Sequence, residues 1–167
     1  MNRAHDPMIE LSNDAKRGVA LGAALCLLAA VVILAVLAGR WWRDDDRRLE
    51  RFVNRYFASW SDQRMADYRA CFIPDAEIHF ITREGARVTF TLDDFMRLQA
   101  RAHANAPEPM REVPTRTVIR RFGSTARVEA TWALTRADGV QTGTDWFTMT
   151  KTDAGWKIRR LVFATDG

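Results

Sequence analysis

The chain is 167 residues long and carries 25 Lys+Arg against 21 Asp+Glu, a formal charge of +4. That length fits one ordinary domain plus a short appendage and argues against two separate domains, and 47% hydrophobic with 10% aromatic residues excludes a disordered chain. Two cysteines, Cys26 and Cys71, exclude a disulfide framework and every multi-cysteine zinc pattern, while His5, His79 and His103 are too scattered to form a metal site, so neither a metal nor a cofactor is expected.

Residues 1–17 read as a short N-terminal tail. From Gly18 to Gly39 the chain then runs 22 residues without a charge, closed by Arg17 and Arg40. A helix rising about 1.5 Å per residue would make this stretch about 33 Å long, enough for a hydrocarbon core of roughly 30 Å. Trp41 and Trp42, flanked by Arg40 and Arg43, suit a headgroup interface. A transmembrane helix over 18–39 and a juxtamembrane linker over 40–46 are therefore expected, with the lipid bilayer as partner. The expected location is a membrane crossed once, of the bacterial inner-membrane kind.

A buried globular helix is a poor rival, because it would be apolar all round in a protein too small to enclose it. A cleaved signal peptide stays open: Val36-Leu37-Ala38 resembles a small-residue cleavage site, although the apolar run exceeds the usual ~7–15 residues. A lipoprotein signal would need a small residue where Leu25 precedes Cys26. Charge does not choose a side for the soluble domain, since Lys16 and Arg17 balance Arg40 and Arg43 at the immediate flanks.

The soluble domain, residues 47–167, reads helices first and strands last. After Asp44-Asp45-Asp46, apolar residues recur at Leu49, Phe52, Val53, Tyr56, Phe57 and Trp60, one face of a helix. Met65, Tyr68 and Phe72 mark a shorter second helix ending before Pro74. Ala76 to Ile81 and Arg87 to Phe90 read as strands joined by a turn at Arg83-Glu84-Gly85. Thr91 opens a third helix with Asp94 as its capping partner and Phe95, Leu98 and Ala102 on one stripe.

Beyond the loop Asn105 to Pro109, Ala126, Val128, Ala130, Trp132 and Leu134 alternate with polar residues, the mark of a half-buried strand. Turns at Gly123-Ser124, Asp138-Gly139 and Asp153-Ala154-Gly155 predict a meander of hairpins, and Pro114 argues for an edge position or a bulge. The pattern is α+β: three helices on a curved antiparallel sheet, a cone.

Two stretches resemble the nuclear transport factor 2-like superfamily, which includes ketosteroid isomerases, scytalone dehydratases and SnoaL-like cyclases. One is FVNRYFASWSDQRMADYRACFIPDAEIHF from Phe52 to Phe80; the other is DWFTMTKTDAGWKIRRLVF from Asp145 to Phe163, with Trp156 and Ile158 in the positions of the family's terminal hairpin. Both are fold motifs. The resemblance implies that Tyr56 stands where the isomerases keep an oxyanion-binding tyrosine and that Asp145 lies nearest their late-strand acid. It also places Phe80 at their general-base aspartate, which argues against isomerase activity unless His79 substitutes.

Tyr56, Asp145 and His79 are thus the candidate catalytic groups, and Tyr56, Phe80, Phe95, Trp132 and Trp146 the candidate lining of a ligand pocket. Alternation turns His79 away from the core, and His103 reads as a cation at a helix C-terminus. Of the 25 basic residues 22 are arginine, but residues 40–167 carry 22 Lys+Arg against 18 Asp+Glu, so no nucleic-acid partner is expected.

The leading expectation is a membrane-anchored, non-catalytic module for protein interaction or small-ligand binding. Family habit implies a homodimer through the strands Thr125 to Arg136 and Gln141 to Lys151. The alternative is a SnoaL-like enzyme of isomerase, cyclase or dehydratase type, acting on a hydrophobic molecule in the cone.

Overall fold

The computed structural model describes residues 31–34 and 44–166. The chain divides between Asp44 and Asp45. Of the first part, residues 31–34 are described before Asp44 and are helical. The rest of the expected membrane helix over 18–39 lies outside the described residues, as do the tail over 1–17 and linker residues 40–43. Among the described residues, no helix is long and apolar enough to cross a membrane.

In the second part, the helix α1 (residues 44–61, of which only Asp44 belongs to the first part) buries Leu49, Phe52, Val53, Tyr56, Phe57 and Trp60, the face its apolar spacing predicts. Helix α2 (Met65–Arg69) buries Tyr68 but stops before Phe72. Phe72 instead begins strand β1 (Phe72–Ile81), because the Cys71 carbonyl already accepts the Ile158 N–H at 2.8 Å. Pro74 has no N–H to give, and it sits where the ladder shifts register between Phe72 and Glu77.

Strand β2 (Arg87–Phe90) returns antiparallel to β1. Helix α3 (Leu92–Asn105) is capped by Thr91, whose hydroxyl accepts the Asp94 N–H at 3.1 Å and donates to its carboxylate at 2.6 Å. Its buried stripe is Leu92, Phe95 and His103, so the expected Phe95–Leu98–Ala102 stripe is rotated and Leu98 is exposed. His103 is not a solvated helix-end cation. Its ring lies tilted against that of Trp60, with centroids 4.2 Å apart, and burial lowers its pKa.

The meander is β3 (Arg111–Phe122), β4 (Thr125–Arg136), β5 (Gly139–Thr152) and β6 (Gly155–Thr165), with turns where the glycines predict them. The six strands run in the order β2-β1-β6-β5-β4-β3. This curved sheet is mixed rather than wholly antiparallel, since β1 lies parallel to β6. A parallel pair needs a long crossover, which β2, α3 and the first three meander strands supply. The core joins the α1 face and Phe95 of α3 to the inner sheet residues Val128, Ala130, Phe147, Ile158 and Leu161.

β3 forms one edge of the sheet, and its ladder with β4 shifts between Pro114 and Arg116, as the proline predicts. The bulge changes which alternate residues face inward. Ile119 opposes buried Val128, but beyond the bulge Glu112 opposes buried Leu134 and Val113 turns outward.

Gly143 on β5 opposes Trp132 on β4. A Cβ there would stand 2.3 Å from the Trp132 ring and 2.4 Å from the Ala164 carbonyl oxygen, so the missing side chain is what lets the indole lie against the backbone. Gly143→Ala is expected to destabilise the domain by about 2 kcal/mol, an overpacking penalty, read as a lower denaturant midpoint. An unchanged midpoint would show that the indole is not held against this strand.

Candidate functional site

Between the helices and the inner face of the sheet lies a partly open cavity of about 140 Å³. Phe95, Trp132, Leu161 and Phe163 contribute apolar wall, and Tyr56, Asp145 and Glu112 contribute oxygen. Each element contributes through its own period. Tyr56 is on the buried stripe of α1, Trp132 shares the inner face of β4 with Ala130 and Leu134, and Asp145 lies between Gly143 and Phe147 on the inner face of β5.

Asp145 is 4% exposed, and both its oxygens are engaged. Trp132 Nε1–H donates to Oδ1 at 2.8 Å, and the Tyr56 hydroxyl donates to Oδ2 at 3.2 Å. The Tyr68 hydroxyl, brought in by α2, donates to Tyr56 Oη at 2.9 Å, so three side chains form a line ending on the carboxyl. Burial pushes the Asp145 pKa up to about 7, although both donors favour the charged form. Burial, followed by the charge of Asp145, also holds the Tyr56 hydroxyl well above the usual tyrosine range.

Hydroxyl hydrogens rotate, so the same line runs in either direction. With Asp145 ionised, Tyr56 points its hydrogen at the carboxylate. With Asp145 neutral, the acid can donate to Tyr56, which then donates to Tyr68. Protonation of one carboxyl therefore decides which oxygen offers a free lone pair to a molecule in the cavity.

Glu112 is the second acid. Its backbone is pinned by Ser61, whose Oγ accepts the Glu112 N–H at 2.9 Å and donates to the Glu112 carbonyl at 2.9 Å. Burial raises its pKa well above the ordinary glutamate value, and the charge of Asp145 raises it further. Two carboxyls lining one cavity titrate as a pair: the first to ionise makes the second harder to ionise. Gln99, also in the lining, accepts the Trp60 Nε1–H at 2.8 Å.

Of the candidates expected from the sequence, Tyr56, Phe95, Trp132 and Asp145 meet in this cavity. Trp146 does not line it: one residue on from an inward Asp145, it must face out, and it is 41% exposed. Phe80 lies outside the lining, with its ring 5.1 Å from Phe163, which does line it. His79 is on the opposite face of β1 from Phe80, with Nδ1 3.0 Å from Thr89 Oγ1 and Nε2 3.8 Å from Glu77, so it cannot replace the aspartate that Phe80 displaces. Tyr68, Gln99 and Glu112 were not expected. Glu112 is hidden by the β3 bulge, whereas Tyr68 was visible as an apolar-stripe residue without its hydroxyl having an assigned partner. Among the described residues no cluster of side chains is arranged to hold a metal ion.

Solved structures with this architecture include an NTF2-like protein of unknown function from Shewanella baltica, 15% identical, covering 75% of this chain and 97% of that one at a TM-score of 0.59. A protein described as "Putative Scytalone Dehydratase" from Novosphingobium aromaticivorans is 16% identical over 75% of this chain and 89% of that one, at a TM-score of 0.62. The Kfla4162 protein of Kribbella flavida is 15% identical over 75% and 93%, at a TM-score of 0.64. These likenesses establish the nuclear transport factor 2-like fold. No curated protein matches the chain. A family model matches residues 44–164, well over half the chain, taking in α1 and nearly all of the sheet. The chain belongs to the family described as "Putative lumazine-binding".

Proposed function

We propose that the domain binds a compact, flat organic molecule whose oxygen or ring nitrogen meets Tyr56 and Asp145. The observation that carries this reading is the Tyr56–Asp145 hydrogen bond at 3.2 Å, inside a cavity otherwise walled largely by aromatic and aliphatic side chains. A void of about 140 Å³ matches the size that accepts a single benzene-like ring. The family description names lumazine, a fused heterocycle rich in carbonyl and ring-nitrogen acceptors. One ring of such a molecule fills a void of that size, and the second extends through its open side.

A second reading, a proton-transfer enzyme of SnoaL-like type, is favoured by Glu112 and Asp145 together. With one acid protonated and the other ionised, the cavity holds a proton donor and a base without needing an acid at Phe80.

The membrane anchor over 18–39 and the homodimer are also part of the proposal. The charge-free run supports the anchor. The dimer is supported by a row on the outer sheet face, Val118, Glu129, Trp146 and Val162, which lines an open groove beside the exposed Trp146 ring.

Lumazine itself, followed by its own fluorescence, is expected to bind the full chain. Tyr56→Phe and Asp145→Asn should each weaken binding roughly 2- to 10-fold, the worth of one hydrogen bond. Unchanged binding and turnover in both variants would defeat the assignment of these residues.

The raised pKa of Asp145 also fixes a pH dependence. Between about pH 4 and pH 7 the folded chain keeps a proton that the unfolded chain has released, so stability is greatest at the acid end and falls as pH rises to about 7. Denaturant midpoints at pH 5 and pH 8 should show this fall. Asp145→Asn should remove its own share of the fall and leave the part due to Glu112, and a variant with the wild-type slope would contradict the assignment. Finally, the full chain should stay with alkaline-washed membranes and sediment as a dimer after detergent extraction. Recovery in the soluble fraction overturns the anchor, and a monomer at high micromolar concentration overturns the dimer.

A further inference from the structure

Outside the cavity, α1 and the β5–β6 hairpin enclose a groove of about 350 Å³, lined by Arg48, Arg51, Arg55 and Lys151 over Phe52 and Trp156. We propose that this groove holds the phosphate of an anionic phospholipid headgroup. The three arginines are spaced by three and four residues, so they project from one side of α1 along about 10 Å of helix. Among the described residues no carboxylate lines the groove.

The charges are also available. Among the described residues, Arg48 and Arg51 make no ion pair or hydrogen bond. Arg55 lies 5.4 Å over the Phe52 ring. Lys151 is the one cation of the four already paired with a carboxylate, at 2.9 Å from Asp45, and its ammonium is 6.0 Å from the Trp156 ring. Trp156 is 4% exposed, and among the described residues its Nε1–H has no hydrogen-bond partner. The indole that helps floor this groove therefore carries a buried donor that no described residue satisfies.

The other arginine cluster does not compete. The outer sheet groove contains Arg120, Arg127 and Arg160, but Glu129 lines it too, and Glu77 accepts a hydrogen bond from Arg160 at 2.7 Å. Of these two arginine grooves, the one beside α1 has a lining of positive charge alone among the described residues. Guanidinium forks recognise phosphate oxygens in pairs, and the apolar floor suits the glycerol and first methylenes of a lipid. A lipid is favoured over a free phosphate by chain position, since Arg48 comes nine residues after the end of the charge-free run at Gly39. Basic residues clustered beside a membrane segment are attracted to anionic lipid.

The test uses the full chain in neutral maltoside micelles doped with phosphatidylglycerol or phosphatidylcholine, following the Trp156 indole N–H resonance. Phosphatidylglycerol should shift it saturably and phosphatidylcholine should not. Arg48→Ala with Arg51→Ala should raise the lipid fraction at half-shift about 25-fold, from roughly fivefold per arginine. Arg48→Lys with Arg51→Lys should raise it by less than the alanine pair, about fivefold, because lysine keeps the charge and loses the paired guanidinium hydrogen bonds. Both arginines are solvent-exposed, so neither variant disturbs the core. Equal response to the two lipids, an unchanged half-shift in the alanine variant, or the same shift from inorganic phosphate alone at matched concentration would each overturn the proposal.

Discussion

A carboxyl group shut away from water must either be given enough donors to stay charged or keep its proton. Asp145 stands at that balance, with Trp132 and Tyr56 favouring the anion and burial favouring the acid, and burial wins narrowly enough to leave the pKa about 7. The surrounding structure serves this one group. Gly143 admits the indole that reaches Oδ1, α1 presents Tyr56 at the right phase, and α2 adds Tyr68 behind it. A site poised in this way responds to any bound molecule that changes its solvation, because displacing water or adding a donor tips the same balance.

Local periodicity reveals much of the fold. The α1 face, the Thr91 cap, the three hairpin turns and the edge position of Pro114 all follow from spacing and turn chemistry, which act over a few residues. Long-range pairing does not follow so directly. The parallel contact between β1 and β6 joins residues some eighty positions apart, and Phe72 becomes a strand residue only because Ile158 is there to pair with it. Of the site, Tyr56 and Asp145 are visible through family resemblance, and Phe95 and Trp132 through their positions on apolar faces. Glu112 is not, because a single extra residue in β3 exchanges inside for outside, and hydrophobic alternation would have chosen Val113. Trp146 fails for the converse reason: an inward aspartate at 145 obliges its neighbour to face out.

The sheet thus has two chemistries back to back. Its inner face carries a small number of polar groups in an aromatic setting, with their hydrogen bonds largely directed at one another. Its outer face carries tryptophan, valine and arginine in the open, with ion pairs such as Arg160–Glu77 already formed. Strand alternation alone separates them, so substitutions at adjacent positions such as 145 and 146 act on different sides of the molecule.

The pairing of β1 with β6 also bears on how the domain comes into being. Strand β1 is held on one side by the short β2 and must wait on the other for β6, so the sheet cannot close around β1 until synthesis has passed β6. Until then the apolar faces of α1 and β1 have no complete partner. The nascent chain therefore passes through an interval of exposed hydrophobic surface, in which chaperone capture or early association with a second copy competes with completion of the fold.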